Sequence, residues 1–204
     1  KTIAPFVKSK SILDIGTGET GIISIFSLKH GASKVTAVDI DRGTINWAKY
    51  NGRLNRLENI KWMVSDIYSN VKGRFDLIVS NPPQLPMSDI SLHDSGGKDG
   101  RSVIDQIIVE AKEHLIPNGI IIISVFDFLS VDRKLGEKVT IFNLLKSRGF
   151  TPSIIAETEK TVRPEGKTFE ALKDIQKYYP KYRFKENECG NKYYKMQIVK
   201  GKLI

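Results

Sequence analysis

The chain has 204 residues, of which 40% are hydrophobic and 27% are charged, the composition of a globular protein that buries a core of its own. Its longest apolar run, near residues 119–126, is too short to cross a bilayer, and its start has no pattern of a signal peptide. These features argue against a membrane or secreted protein, and we expect a cytoplasmic one.

Cysteine and histidine usage limits the chemistry further. Cys189 is the single cysteine, so no internal disulfide can form and a reducing compartment is expected. The three histidines, His30, His93 and His114, lie far apart along the chain, which predicts no metal site.

The formal charge of +9 is concentrated towards the end of the chain. Residues 160–204 contain 12 Lys and Arg against 5 Asp and Glu. A basic surface favours a polyanionic partner such as RNA. A solvated lysine-rich surface that only maintains solubility explains the same composition, and both interpretations stay open.

Apolar runs alternate with helical patterns along the chain, which indicates an α/β fold with a parallel sheet. Strands are predicted at Ser11–Ile15, Lys34–Asp39, Ile60–Ser65, Phe75–Ser80, Gly119–Phe126, Ser153–Glu157 and Tyr193–Lys200. Helices are predicted at Gly21–Lys29, Arg42–Asn55, Ser102–His114, Lys134–Arg148 and Lys167–Tyr178. No boundary or repeat is visible. We therefore predict one doubly wound domain over 1–204, with a short lead at 1–10 and the basic part at 160–204.

The first predicted strand leads into ILDIGTGETG, residues 12–21, where Gly16, Gly18 and Gly21 have the spacing G-x-G-x-x-G. Such a turn lets the backbone approach a ligand at a helix start. Asp39, at the end of VTAVDID, supplies an acid able to accept hydrogen bonds from both ribose hydroxyls. This layout suits any adenosine ligand, including a nicotinamide dinucleotide.

Asp14, two residues before Gly16, discriminates between the ligands. A carboxylate about 5 Å from a pyrophosphate charge would cost about 3 kcal/mol at an effective dielectric of 20. S-adenosylmethionine instead presents an ammonium and a sulfonium, which a carboxylate attracts. A carboxylate that only braces the loop or caps the helix is the alternative. Together with the glycine spacing, Asp14 favours S-adenosylmethionine over a nicotinamide cofactor.

The fourth predicted strand ends in Asn81, Pro82, Pro83 and Gln84, at the edge where open parallel sheets carry their active sites. Consecutive prolines fix the backbone and remove two N–H donors, leaving a rigid loop of acceptors. The side-chain oxygen of Asn81 and the carbonyl of Pro82 would each accept an N–H of a planar amine or amide. They would thereby align its nitrogen with a methyl donor. A turn that merely closes a strand is the alternative.

The ordered motifs ILDIGTGETG, VTAVDID, VSDIYSN and FDLIVSNPPQ resemble those of class I S-adenosylmethionine-dependent methyltransferases over nearly the whole chain. The resemblance implies a Rossmann-like, mostly parallel seven-stranded sheet with an antiparallel last strand. It also implies a cofactor site in which Asp14, Gly16 and Gly18 hold the methionine part. In this site Asp39 would hold the ribose and Asp66 the adenine amino group. Ile40 and Ile67 would pack on the adenine faces, with Asn81 also in contact. Thr20 replaces a glycine found in many members.

Asn-Pro-Pro followed by an aromatic residue resembles methyltransferases that act on planar nitrogens, namely the release-factor glutamine (HemK-like) enzymes and the adenine amino methyltransferases. Here Gln84 replaces the aromatic residue; it would hydrogen-bond a substrate but offers little stacking surface. The segment SGGKDG resembles the GG-x-DG pattern of the glutamine subfamily through Gly96, Gly97, Asp99 and Gly100. A glycine loop with Asp99 capping a helix explains the segment equally well.

Three functions follow from these patterns. We expect methylation of a protein glutamine, such as that of a translation release factor. The resemblance also implies that a small activating partner subunit is possible, because some shorter relatives need one. An amino group on an RNA base and a non-catalytic module that binds nucleic acid or a partner are the alternatives. The basic part contains six aromatic residues of interest: Tyr178, Tyr179, Tyr182, Phe184, Tyr193 and Tyr194. They would contact RNA or belong to the core, and we expect at least half of them to be core residues.

Overall fold

The computed structural model describes residues 2–87 and 95–204. Its helices are α1 (Ala4–Val7), α2 (Ile22–Lys29), α3 (Arg42–Leu54), α4 (Ser102–Glu110), α5 (Ile141–Ser147), α6 (Lys167–Glu170) and α7 (Leu172–Tyr178). Its strands are β1 (Ser11–Ile15), β2 (Lys34–Asp39), β3 (Ile60–Val64), β4 (Phe75–Ser80), β5 (Leu115–Phe126), β6 (Phe150–Thr161), β7 (Lys185–Glu186) and β8 (Lys192–Leu203).

The strands form one sheet in the order β3-β2-β1-β4-β5-β8-β6, and β7 pairs antiparallel with β8. The pairs β1–β2, β1–β4, β2–β3 and β4–β5 are parallel. The reversal of strand order beside β1 is the topology of a doubly wound sheet. The predicted α/β fold class, mostly parallel with an antiparallel last strand, is therefore confirmed.

The chain divides into two compact units, which we call the first and second units. The first contains Lys1–Asn81, Glu110–Ile123 and Lys200–Ile204; the second contains Pro82–Val109 and Ser124–Val199. Both are discontinuous in sequence, because the chain passes from one to the other at residues 81–82, 109–110, 123–124 and 199–200. The single-domain organisation inferred from the sequence stays a prediction.

The core of the first unit is the sheet β3-β2-β1-β4 with the helices α2 and α3 packed on it. Ile12, Leu13 and Ile78 are fully buried, as expected for parallel strands that are covered on both faces. Trp62 in β3 fills the space beside two glycines. A Cβ at Gly21 or Gly52 would lie 2.8 Å from its ring. The third glycine of the loop is thus required by packing, and Gly21 directly precedes the first residue of α2.

The core of the second unit contains an aromatic cluster around Phe128, which is fully buried. Tyr179, Tyr182 and Tyr194 lie within 7 Å of its ring centre and are at most 8% exposed. Half of the six aromatic residues named from the basic part are therefore core residues, which confirms the expectation. These three side chains are not available to stack on RNA bases.

The predicted bounds of β1, β2 and β4 agree with the structure, and α2, α3 and β3 agree within one residue. The predicted helix at 134–148 is wrong in its first half, because α5 begins only at Ile141. Thr140 caps this helix by accepting from Asn143 N at 3.0 Å. Before it, Ser130 Oγ holds Leu135 N at 3.0 Å, and a Cβ at Gly136 would lie 2.1 Å from Tyr178 O, so the chain passes there as a loop.

Strand β5 begins four residues before its predicted start, and β6 and β8 extend beyond their predicted ends; α1 and β7 were not predicted. In the two described stretches, 2–87 and 95–204, no helix is long and apolar enough to span a membrane.

Candidate functional site

The four parallel strands of the first unit end side by side. Ile15 at the end of β1 pairs with Val38 of β2 and with Ser80 at the end of β4. Asp39 at the end of β2 pairs with Val64 at the end of β3. The residues that follow these strands therefore share one edge of the sheet. Every predicted cofactor residue of the first unit lies at the end of one of the strands β1 to β4 or just after it: Asp14, Gly16, Gly18, Asp39, Ile40, Asp66, Ile67 and Asn81.

The glycine loop after β1 is held by backbone hydrogen bonds from Gly16 N and Thr17 N to Val38 O, at 2.9 and 3.0 Å. Gly16 and Gly18 have φ angles of 68° and 67°, which residues other than glycine rarely adopt. A Cβ at either position would meet no atom within 4 Å. Neither glycine is required by packing, unlike Gly21. The open space above them forms a cradle in which a ligand can approach the backbone.

Asp14 is fully buried beneath this loop. Its Oδ2 accepts hydrogen bonds from Thr17 Oγ1 at 2.8 Å and Ser24 Oγ at 2.6 Å, which joins the end of β1 to the loop and to α2. Its Oδ1 has no hydrogen-bond partner among the described residues. Burial raises the pKa of the carboxyl from its ordinary 3.8 to about 6, although the two hydroxyl donors oppose the rise. One oxygen thus braces the loop, and the other is left for a donor or cation.

Asp39 uses both carboxylate oxygens to organise the edge. Oδ2 accepts from Gly18 N at 3.1 Å, and Oδ1 accepts from Asp41 N at 3.2 Å. The side chain remains partly exposed, so its remaining lone pairs can accept hydroxyl groups. Ile40, next in the chain, has a side chain that is 52% exposed, which is unusual for isoleucine and leaves an apolar surface at this edge.

The turn after β3 contains Asp66 and Ile67, which differ in environment. Asp66 is exposed, whereas Ile67 is 8% exposed. Ser65 Oγ donates to Ile67 O at 3.1 Å and holds this turn. Ile67 has a φ of 44°, where a β-branched residue is strained. Strained positions of this kind cluster at ligand sites.

Asn81 follows β4 and is exposed at the same edge. The strand beneath it is fixed to β1 by a hydrogen bond of 2.8 Å from Ser80 Oγ to Ile15 O. Pro82 is buried and Pro83 is partly buried. The exposed amide of Asn81 therefore stands on a backbone that the strand and two prolines restrain.

The environment of Gln84 differs from the prediction. Its side chain is 4% exposed, and its Oε1 accepts from Phe126 N at 2.7 Å. Its Nε2 donates to Ser124 O at 3.2 Å and to Pro82 O at 3.3 Å. The amide is thus engaged inside the second unit, and it is not positioned to hydrogen-bond a substrate as the sequence suggested. It braces the Asn-Pro-Pro loop against the end of β5.

The segment SGGKDG packs directly on this loop. A Cβ at Gly96 would lie 2.7 Å from Gln84 Cα, and one at Gly100 would lie 2.5 Å from Gln84 O. Gly97 has a φ of 84° and a Cβ there would lie 2.4 Å from Ser102 Oγ. Asp99 accepts from Arg101 N at 3.0 Å, so it closes the turn before α4. The glycines are required by close approach.

Arg101 anchors this segment and was not among the residues predicted from the sequence. Its guanidinium is fully buried; Nε donates to Asp105 Oδ1 at 2.8 Å and Nη1 to Leu129 O at 3.0 Å. Lys138 joins Asp99 and Asp105 through ion pairs of 2.7 and 3.0 Å. The i, i+4 spacing of Arg101 and Asp105 was the sequence signal for it.

Within residues 2–87 and 95–204, no group of His, Cys, Asp and Glu residues could hold a metal ion. His30 and His114 lie on separate elements, and His93 is outside the described residues.

Comparisons with known proteins identify relatives of this chain. The family model "Methyltransferase small domain" matches residues 2–151. A Methanocaldococcus jannaschii protein provisionally named a protein N5-glutamine methyltransferase is 42% identical over 157 residues, 74% of this chain and 75% of that protein. A release factor glutamine methyltransferase of Deinococcus radiodurans is 32% identical over 57% of this chain, which spans 46% of that enzyme.

Solved structures show the same fold at lower identity. A Thermus thermophilus 16S rRNA methyltransferase, in complex with AdoMet and guanosine, has a TM-score of 0.60 and 16% identity, with 97% of this chain and 38% of that chain covered.

Proposed function

The chain belongs to the methyltransferase small domain family, and we propose that it transfers a methyl group from S-adenosylmethionine to the side-chain amide nitrogen of a protein glutamine. One observation carries the proposal: Asn81 is exposed at the strand edge that also carries the glycine cradle, and two prolines restrain the backbone after it. An acceptor fixed beside a cofactor cradle suits a planar nitrogen that must be oriented before it reacts.

The residues of the first unit fit S-adenosylmethionine. The cradle above Gly16 and Gly18 would take the methionine part, and the unpartnered Oδ1 of Asp14 would attract its ammonium, directly or through water. Asp39 would accept the ribose hydroxyls. Asp66 would accept the adenine amino group, with the apolar surfaces of Ile40 and Ile67 against the ring. A pyrophosphate in the same cradle would face a buried carboxylate, which disfavours a nicotinamide dinucleotide.

The chemical step requires orientation, because an amide nitrogen is a weak nucleophile whose lone pair is delocalised. Asn81 Oδ1 and the carbonyl of Pro82 would accept the two N–H groups of the substrate amide and aim its nitrogen at the methyl carbon. Such positioning contributes several kcal/mol to a rate enhancement. The acceptors also stabilise the positive charge that develops on nitrogen. When bound, S-adenosylmethionine would supply an electrophilic methyl group whose bond to sulfur breaks as its bond to the amide nitrogen forms, and that nitrogen would then release one proton to water.

Three observations favour a glutamine over a base. Gln84 replaces the aromatic residue that usually follows Asn-Pro-Pro, so this position has no ring on which a flat base would stack, and its amide is engaged inside the protein. The segment with Gly96 and Gly100 packs on that residue as a unit. This chain also matches three quarters of the length of a relative that is named for glutamine methylation. Methylation of an amino group on an RNA base is the second candidate, which the net charge of +9 favours.

The test is transfer of a labelled methyl group to two substrates in parallel. We expect labelling of a purified translation release factor, with the added mass located on one glutamine by peptide mass spectrometry, and loss of labelling when that glutamine is replaced by alanine. Ribosomal and transfer RNA serve as the second substrate. Labelled RNA with an unlabelled release factor would establish the alternative. Cofactor binding without transfer to either substrate, also after addition of cell extract to supply a partner subunit, would favour a non-catalytic module.

A further inference from the structure

A second concave surface lies at the opposite edge of the first unit. A groove of about 470 Å³ is formed where β1, β2, β3 and β4 begin. Its lining includes Ser11, Lys34 and Phe75, the first residues of three of these strands. A parallel strand rises about 3.3 Å per residue, so the four steps of β1 separate this groove from the glycine loop by about 13 Å. The groove is therefore distinct from the methyl-transfer site.

Four cations surround this groove, namely Lys34, Lys61, Lys72 and Arg74, against one carboxylate, Glu58. All four cationic residues are exposed, and none forms an ion pair within the described part of the chain. Arg74 is held in place because its Nη1 donates to Leu115 O at 3.1 Å, which leaves its other N–H groups free to bind an anion. A concave surface lined by one sign of charge concentrates the opposite charge from solution.

We propose that this groove binds the phosphodiester backbone of a nucleic acid, independently of its sequence. Hydroxyl groups of Ser33 and Thr36 line the groove beside the cations, and this combination is typical of phosphate contacts. The apolar residues of the lining are at most 7% exposed, so they offer no anchor of the kind that protein partners bury: Val35, Ile60 and Phe75. For the same reason the groove has no aromatic surface on which bases stack.

The proposal does not depend on the identity of the methylated substrate. It places the nucleic-acid contact of this basic protein at the start of the sheet, whereas the charge count alone pointed to residues 160–204. The two locations make different predictions for variants with equal loss of charge.

The test is fluorescence anisotropy with a labelled, mixed-sequence single strand of about 16 nucleotides, as RNA and as DNA, over a range of KCl concentrations. Each phosphate contact contributes about −0.7 to the slope of log K against log salt for a single strand, so four contacts predict a slope of about −3. The double variant Lys61→Gln/Lys72→Gln should reduce the slope by about 1.4 and weaken binding severalfold at low salt. RNA and DNA should bind within a few-fold of each other, because phosphate contacts carry no base information.

The matched control is Lys160→Gln/Lys173→Gln, which removes the same charge from two exposed residues of the second unit. It should leave the slope nearly unchanged. An equal effect of the two double variants would show diffuse attraction and overturn the proposal, as would the absence of binding at low salt. Polyglutamate that binds as tightly as RNA would instead indicate an acidic protein partner and would also overturn it.

A second measurement covers the case in which the groove variant does not fold. In the wild-type protein, bound RNA should protect Lys34, Lys61 and Lys72 from acetylation, whereas Lys160 and Lys173 remain reactive. The reverse pattern of protection would locate the contact in the second unit and refute nucleic-acid binding at the groove.

Discussion

Replacing Gln84 by leucine is expected to destabilise the protein and slow methyl transfer without weakening cofactor binding. Leucine is close to glutamine in size but has no polar atoms. The variant therefore removes three hydrogen bonds, those with Phe126 N, Ser124 O and Pro82 O. The cofactor residues belong to the first unit, whereas Gln84 and these three partners belong to the second.

The size of the effect follows from the groups left without partners. Gln84 is 4% exposed, so water cannot easily replace it at Phe126 N and Ser124 O. Each buried polar group left unsatisfied costs about 1–3 kcal/mol, so the loss for these two is about 2–6 kcal/mol. For a chain of this length, 1 kcal/mol corresponds to about 2–4 °C, so Tm should decrease by about 4–24 °C.

Chemical denaturation and the rate of methyl transfer, measured on the same preparations, test the prediction. Gln106→Leu is the matched control, because it makes the same change at an exposed position of α4. An exposed substitution of this kind should change stability by less than about 0.5 kcal/mol. The Gln84→Leu variant should show a lower kcat below its unfolding midpoint, because the Asn-Pro-Pro loop is no longer held against β5.

If Gln84→Leu left the stability unchanged, Gln84 would not hold the Asn-Pro-Pro loop against β5. If stability were unchanged while KM for the substrate rose, Gln84 would be a substrate contact, as the sequence suggested. Gln84→Glu separates the two roles further. Its new carboxyl would face the carbonyls of Ser124 and Pro82, which favour the protonated form, so its pKa in the folded state should lie above the unfolded value. Its loss of stability should then decrease as the pH is lowered.

Three further predictions concern the site. Asn81→Ala should reduce methyl transfer by at least about tenfold, about 1.4 kcal/mol in the barrier, and should leave the Kd for S-adenosylmethionine nearly unchanged; equal losses of binding and turnover would make Asn81 a structural residue. Because burial raises the pKa of Asp14 to about 6, its ionisation in the free protein costs about 3 kcal/mol, and a bound ammonium offsets that cost. Cofactor affinity measured by calorimetry should therefore rise about tenfold from pH 5 to pH 7 as Asp14 ionises. The variant Asp14→Asn should abolish this rise. A flat profile in the wild type would show that the ammonium binds elsewhere. Gly100→Ala should cost about 1–3 kcal/mol more than Gly190→Ala, since both glycines have φ near 75° but only Gly100 lies against Gln84; equal unfolding free energies would exclude the close packing of the two loops.

The sequence determined the features that depend on neighbouring residues. The bounds of β1, β2 and β4 follow from short, mostly apolar runs, which are typical of parallel strands covered on both faces. The positive φ angles of Gly16 and Gly18 follow from a residue type that adopts them freely. The position of Asn81 follows from the strand before it and the prolines after it. The cofactor roles of these residues stay predictions, although the structure brings them to one edge of the sheet.

The tertiary structure decided the features that depend on residues far apart in the chain. Gln84 is a brace because the backbone of Ser124 and Phe126, about 40 positions away, meets its side chain, and backbone groups have no sequence signature. The helix predicted at 134–148 begins late because Gly136 lies against Tyr178 O, a contact that no local pattern encodes. A local pattern fixes what a segment can form; the neighbours supplied by the fold decide which atoms of that segment remain free to act.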